Sequence, residues 1–235
     1  SAATSMLVPL RASRTVNGRS RRRSAASTPR LSKCTVPLAQ SMILELAAQA
    51  SPRFAALVVI APSTPHNWEW TKWLPHVRAI DPDVRTVAAD DDEAQQIFDM
   101  LLAVAQERAE QARSVVGADT VFSPHLVVVI EPPLHLPARD VDRLLAQLGQ
   151  VGMSVIWLSA RAELLPSGCR TIVTVPDRGP GSLTMTDGGA TIAGIEFDGV
   201  TRAEAETAAR ALAPLVDTTA DGTGAQIPTQ ITLLE

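Results

Sequence analysis

Three short runs, Ala55-Ala-Leu-Val-Val-Ile-Ala61, His125-Leu-Val-Val-Val-Ile130 and Met153-Ser-Val-Ile-Trp-Leu-Ser159, are apolar at nearly every position instead of every second one. A strand with one wet face alternates apolar and polar residues, so an uninterrupted run marks a strand buried on both faces. Such strands belong to mostly parallel sheets covered by helices on each side. The segments between the runs supply those helices. Leu38 to Ala50 aligns Met42, Ile43, Leu46 and Ala47 on one stripe, and Asp90-Asp-Asp-Glu93 opens a longer helix to about Arg113 with Ile97, Phe98, Leu101 and Ala105 on one side. The acidic run suits the positive end of that helix better than a metal. Val84 to Ala89 reads as a weaker strand, and Pro137 starts a helix to about Gly149.

Beyond Cys169 the pattern changes to short strands at Thr171 to Val175, Ser182 to Thr186 and Thr191 to Phe197, the last two joined by the hairpin signal Asp187-Gly-Gly189. Thr201-Arg-Ala-Glu204 is a capping box opening a last helix through Leu212, closed by Pro214. The 235 residues are 46% apolar but include only four Trp, four Phe and no Tyr, so the core is built from Ala, Val, Leu and Ile. No apolar run reaches the roughly 18 residues that span a bilayer. Cys34 and Cys169 are too few for a disulfide framework or a zinc site, which suggests a reducing compartment.

Charge is unevenly placed. Eight of the 21 basic residues lie within residues 1–33, which contain no acid, while the other 13 share residues 34–235 with all 25 acids. Residues 1–33 therefore read as a disordered basic arm, residues 34–216 as the folded domain and residues 217–235 as a polar tail with one β-prone stretch, Gln230 to Leu234. A solvated linker, an arm for phosphates or anionic lipid, and an organellar transit segment are the readings of the arm. A nucleic-acid role through it is weakened by the acidic body and the absence of aromatic residues in the arm.

Ligands of parallel sheets bind beyond the carboxyl ends of the strands, and four places there carry chemistry. The stretch Arg30 to Ser41 before the first long helix has no glycine, and Pro37 removes a donor, so the backbone nest that cradles phosphates is missing; Lys33 is the one residue there that could reach a phosphate. Glu131 follows the His125 strand, where nucleotide hydrolases hold Mg²⁺, but Pro132-Pro133 stand where a second carboxylate would orient water. It reads either as a hydrogen-bonding or ion-pairing residue or as a metal contact. Arg161, after the Met153 strand, reads as a surface ion-pair residue or a phosphate sensor. Finally, Trp68, Trp70 and Trp73 fall within six residues, with Lys72 between them and Leu74-Pro75-His76 after them. Such a cluster fits a partner-docking surface or a rigid inter-domain plug. His66, His76, His125 and His135 form no Ser-His-Asp, Cys-His or zinc-ligand spacing.

The stretch Trp68-Glu-Trp-Thr-Lys-Trp-Leu-Pro-His76 resembles a motif of the EccC family, the membrane-anchored FtsK/SpoIIIE-type ATPases of type VII (ESX) secretion, in the domain between the transmembrane helices and the first ATPase module. The resemblance extends from about Leu38 to Leu215. It implies a three-layer, degenerate RecA-like P-loop fold with an added C-terminal β-hairpin and helix, on the cytoplasmic face of the bacterial plasma membrane. The implied role is a non-hydrolysing coupling or regulatory domain, with Trp68, Trp70, Lys72, Trp73, Leu74, Pro75 and His76 as docking residues and Glu131 as a Walker-B-like vestige. Neighbouring secretion subunits, the motor's own ATPase domains and further copies in a parent hexamer are the implied partners. ATP and Mg²⁺ are the cofactors to test, with Lys33 and Glu131 as their candidate contacts; no nucleic acid is expected. The alternative is an ATP-binding or hydrolysing domain with an atypical phosphate loop.

Overall fold

The computed structural model describes residues 10–13, 35–78, 86–114 and 121–215. Eight strands form one sheet: β1 (Leu10–Ser13), β2 (Ala55–Ile60), β3 (Val87–Ala88), β4 (His125–Ile130), β5 (Met153–Ser159), β6 (Thr171–Pro176), β7 (Gly181–Met185) and β8 (Thr191–Ile195). Their order is β3-β2-β4-β5-β1-β6-β7-β8. The six strands from β3 to β6 pair in parallel, and β6-β7-β8 continue antiparallel as the added hairpin.

Side-chain alternation divides each inner strand between two cores. Ala56, Val58 and Ile60 of β2, with Leu126, Val128 and Ile130 of β4, face α2 (Asp91–Ser114) and α3 (Ala138–Gln147). Leu57, Val59, Val127, Val129, Ile156 and Leu158 face the other way, toward α1 (Thr35–Gln49), α4 (Arg202–Leu212) and the Trp-rich segment. The result is the three-layer arrangement expected from two-faced strands. The acidic run is a cap: Asp90 Oδ1 accepts the Glu93 N–H (2.8 Å), and Glu93 Oε2 accepts the Ala89 N–H (2.7 Å). At α4 the capping box forms as the spacing requires, with Thr201 and Glu204 exchanging side-chain-to-backbone bonds.

Strand β1 corrects the reading of residues 1–33 as an arm outside the fold. Leu10–Ser13 lies inside the sheet, with Leu10 and Arg11 opposite Leu158 and Ser159 of β5, and Leu10 to Ser13 opposite Val173 to Pro176 of β6. Nothing in Leu-Arg-Ala-Ser signals a strand, because a ladder on both sides satisfies the backbone without an apolar run of its own. The rest of the arm, Lys33, Cys34 and the tail from 216 onward lie outside the described residues. The first helix begins at Thr35, earlier than its apolar stripe, with Pro37 tolerated in its first turn.

Strand β1 stands between β5 and β6, so removing it opens the sheet at its centre. A chain starting at residue 34 should lose the cooperative thermal transition of the full chain in circular dichroism. A truncated chain that melts as sharply and as high would show that β1 is dispensable.

Candidate functional site

Strands β4, β5 and β1 end side by side at the carboxyl edge of the sheet, which places Glu131 beyond β4, Ser159 at the end of β5 and Ser13 at the end of β1. The 21 residues from 14 to 34, between β1 and α1 in the sequence, contain one glycine, Gly18, and no Gly-x-x-x-x-Gly-Lys-Ser/Thr.

Glu131 is 3% exposed. Its backbone N–H donates to Ile60 (2.9 Å), extending the β2-β4 ladder by one residue and holding the side chain at the strand end. Its Oε2 accepts the indole Nε1–H of Trp68 at 2.6 Å, a short charge-assisted bond between two buried groups. Burial pushes the Glu131 carboxyl above its ordinary range, and the Trp68 bond, helped by Thr64, Asn67 and His66, pulls it part of the way back. The first carboxylate and the Trp motif, read separately along the sequence, are one interaction.

Residues 65–78 form three consecutive 3-10 turns, Pro65–Asn67, Glu69–Trp73 and Pro75–Arg78, laid over the sheet face next to α1 and α4. The Asn67 carbonyl receives the Trp70 indole N–H (3.0 Å) and the Gln40 amide of α1 (2.8 Å). The Thr71 hydroxyl donates to Trp68 O (2.7 Å), and His76 Nε2–H donates to the carbonyl of Ala50 (2.7 Å) just past α1. Trp73 is half-buried, with the Arg210 guanidinium of α4 stacked 3.9 Å from its ring centre and Lys72 Nζ at 5.6 Å.

This geometry corrects the reading of the motif as a surface that meets partners. Trp68, Trp70, Leu74 and His76 are buried within the chain, while Lys72 is exposed and Trp73 and Pro75 are half-buried. The cause is the second sheet face: α1 and α4 do not cover it alone, and the indoles fill the remainder. What the motif docks is α1 and α4, onto the sheet. Gln40 had no sequence signal, since a lone amide at an interior helix position reads as a solvated residue.

The remaining candidates do not converge on Glu131. The buried Ser159 hydroxyl closes on its own turn, donating to Arg161 O (2.7 Å) and accepting from Arg161 N (3.3 Å), and the Arg161 side chain is exposed. Among the described residues, no group of three or more His, Cys, Asp or Glu could hold a metal ion. Burial pushes the Cys169 thiol up to about 12, so it is no nucleophile. Beside Glu131, Pro132, Pro133, Leu136, Val141 and Trp157 line an apolar cavity of about 510 Å³. At the opposite edge of the sheet, Arg108 donates to Pro124 O (2.8 Å), Val151 O (3.0 Å) and Gly152 O (3.2 Å), tying α2 to the starts of β4 and β5.

No family model matches the chain. Among curated proteins, it is 26% identical over 170 residues to the type VII secretion system protein EssC of Staphylococcus aureus, covering 71% of this chain, and 24% identical over 170 residues to the ESX secretion system protein EccC of Geobacillus thermodenitrificans, covering 72%. The chain is homologous to EssC and EccC proteins. It spans 11% of the length of these relatives. Among solved structures, the fold is similar to EssC ATPases 2 and 3 from Geobacillus thermodenitrificans, with a TM-score of 0.53 at 12% identity over 89% of this chain and 44% of that one. It is also similar to the cytoplasmic domain of the type VII secretion ATPase EccC of Thermomonospora curvata, with a TM-score of 0.50 at 14% identity over 83% of this chain and 24% of that one. The fold is therefore RecA-like, in an EssC/EccC homologue with no helix, among the described residues, long and apolar enough to cross a membrane.

Two measurements probe the Trp segment. Trp70→Ala deletes a fully buried indole and should cost about 3–5 kcal/mol in urea unfolding, where an exposed docking tryptophan would change stability by less than about 0.5 kcal/mol. Burial also holds the His76 imidazole below its ordinary 6.5, against the pull of the Ala50 carbonyl. A base with a depressed folded pKa binds more protons when unfolded, so its contribution is complete above pH 6.5 and is lost as pH falls through the folded value. Melting temperature should fall between pH 7.5 and 5, and His76→Gln should flatten that fall; His125, depressed by burial and by Arg108, accounts for a remaining slope.

Proposed function

We propose that this domain is a non-hydrolysing coupling domain of a type VII secretion ATPase, linking a membrane anchor and neighbouring secretion subunits to catalytic modules of the same machine. The relation to EssC and EccC supports the setting, and the spanned 11% of those proteins is consistent with one module among several. The observation that supports the absence of hydrolysis is the state of Glu131: one of its carboxylate oxygens is taken by the Trp68 indole N–H, and prolines follow it where a water-orienting acid would stand. In this reading the cytoplasmic face of the plasma membrane is the site of action, and the motor's own ATPase domains and copies of the parent chain are the partners.

The mechanical logic follows from packing. The Trp segment joins α1 through Gln40, α4 through Trp73 and Arg210, and β4 through Glu131, so a displacement of any one of these elements is transmitted to the others. In a hydrolysing domain a bound polyphosphate and its cation bridge the first helix and the strand end. Here side chains make that bridge, so the domain stays rigid through a neighbour's ATP cycle.

One observation favours nucleotide binding without the usual loop. Residues 14–34, between β1 and α1 in the sequence, carry six arginines and Lys33 and no acid, and β1 ends at the edge where ligands bind in such sheets. Thermal shift separates the two readings, because a ligand at 100 times its Kd stabilises by about 2.7 kcal/mol. The coupling reading expects no shift at millimolar Mg-ATP and no phosphate release. A shift lost on replacing the arginines by serine, or turnover lost in Glu131→Gln, would overturn it.

A further inference from the structure

We infer that Glu131 is retained as the acceptor of the buried Trp68 indole N–H and does not fit the divalent ion that a carboxylate at the end of this strand would otherwise meet: the indole takes Oε2, and no second acid adjoins it. The inference rests on the non-hydrolysing reading and adds what the glutamate does instead. An Mg²⁺ ion binds carboxylate oxygens at about 2.0–2.1 Å and keeps most of its waters. Against Glu131 Oε2, that space is filled by a donor nitrogen at 2.6 Å whose hydrogen points at the same lone pair. A cation there would face a positive hydrogen instead of an open acceptor.

Trp68 cannot swing aside as a lid would. It is fully buried; its backbone N–H donates to Pro65 O (2.9 Å), and its carbonyl accepts both the Thr71 N–H (2.9 Å) and the Thr71 hydroxyl (2.7 Å). The preceding residue, Asn67, is pinned through its carbonyl by Gln40 and Trp70. Releasing Glu131 therefore requires undoing the three-turn segment and its contacts with α1. On the other side, Pro132 has no N–H and no second acid adjoins Glu131, so a cation would find one occupied ligand. The retained glutamate has a different use: it answers a buried indole N–H that would otherwise be orphaned.

The role is distinguishable from plain packing because glutamine keeps the acceptor while removing the charge, and phenylalanine keeps an apolar ring while removing the N–H. The test is Mn²⁺ binding, followed by electron paramagnetic resonance, to the full chain, Trp68→Phe, Glu131→Gln and the double variant, together with their melting temperatures. All four should bind Mn²⁺ equally weakly, because among the described residues no further acid, His or Cys joins Glu131 in a group that could hold the ion. Glu131→Gln should melt close to wild type, whereas Glu131→Met, which orphans the indole N–H, should melt well below it.

Wild-type Mn²⁺ binding that Glu131→Gln abolishes would overturn the inference, as would a gain in Trp68→Phe that the double variant loses. If Trp68→Phe does not fold, the Gln and Met variants decide: equal melting temperatures refute the anchoring role and a lower value for Met supports it. The function reading fails separately: Mg-ATP stabilisation that Glu131→Gln leaves unchanged would sink the coupling proposal and leave the anchoring role of Glu131 intact.

Discussion

Strands β2, β4 and β5 are apolar on both faces, so neither face of the central sheet can meet water, and the rest of the chain is arranged to prevent it. Helices α2 and α3 cover one face with their own stripes. On the other face the buried cluster reaches across to Val173 and Val175 of β6, and α1 with α4 leaves part of it bare. The Trp segment closes that gap. Two fully buried indoles at about 150–250 Å² each contribute roughly 4–6 kcal/mol apiece before entropy is counted, which is ample reason for a short irregular segment to hold one conformation.

That covering role brings chemistry with it. Indoles that cover the sheet edge carry N–H groups, and buried N–H groups need acceptors. Trp70 finds the Asn67 carbonyl three residues back, while Trp68 finds Glu131 on a different element. A glutamate at the end of a strand in a RecA-like sheet thus becomes part of the core's hydrogen bonding. In the same way, Ser159 is absorbed by its own turn. The carboxyl edge keeps the topology of a nucleotide site, but Glu131 and Ser159 there are already taken up by hydrogen bonds within the chain.

Much of this could be read in advance, and the misses have particular causes. The two-faced runs announced β2, β4 and β5, and the Thr201 capping box announced α4, because both are local patterns with one physical meaning. Val87–Ala88 is shorter than the expected strand, whose first residues lie outside those described. The Trp cluster was found by composition but assigned the wrong side, since three large rings in six residues look the same whether they cover a neighbour or their own sheet. Strand β1 went unseen because its partners, at positions 158–159 and 173–176, lie some 150 residues away and its own four residues carry no period.

Periodicity and capping are properties of neighbours along the chain, so the layers and the start of α4 were legible in the order of residues alone. Which carboxylate meets which indole, and which four residues complete the sheet, depend on contacts between segments far apart in the chain. Those contacts are set by the need to leave no apolar face wet and to answer buried donors, although the indole N–H groups of Trp73 and Trp157 stay unpaired. Glu131 could be read as a possible ion ligand from its place on a strand; only the folded chain shows that the Trp68 N–H already holds it.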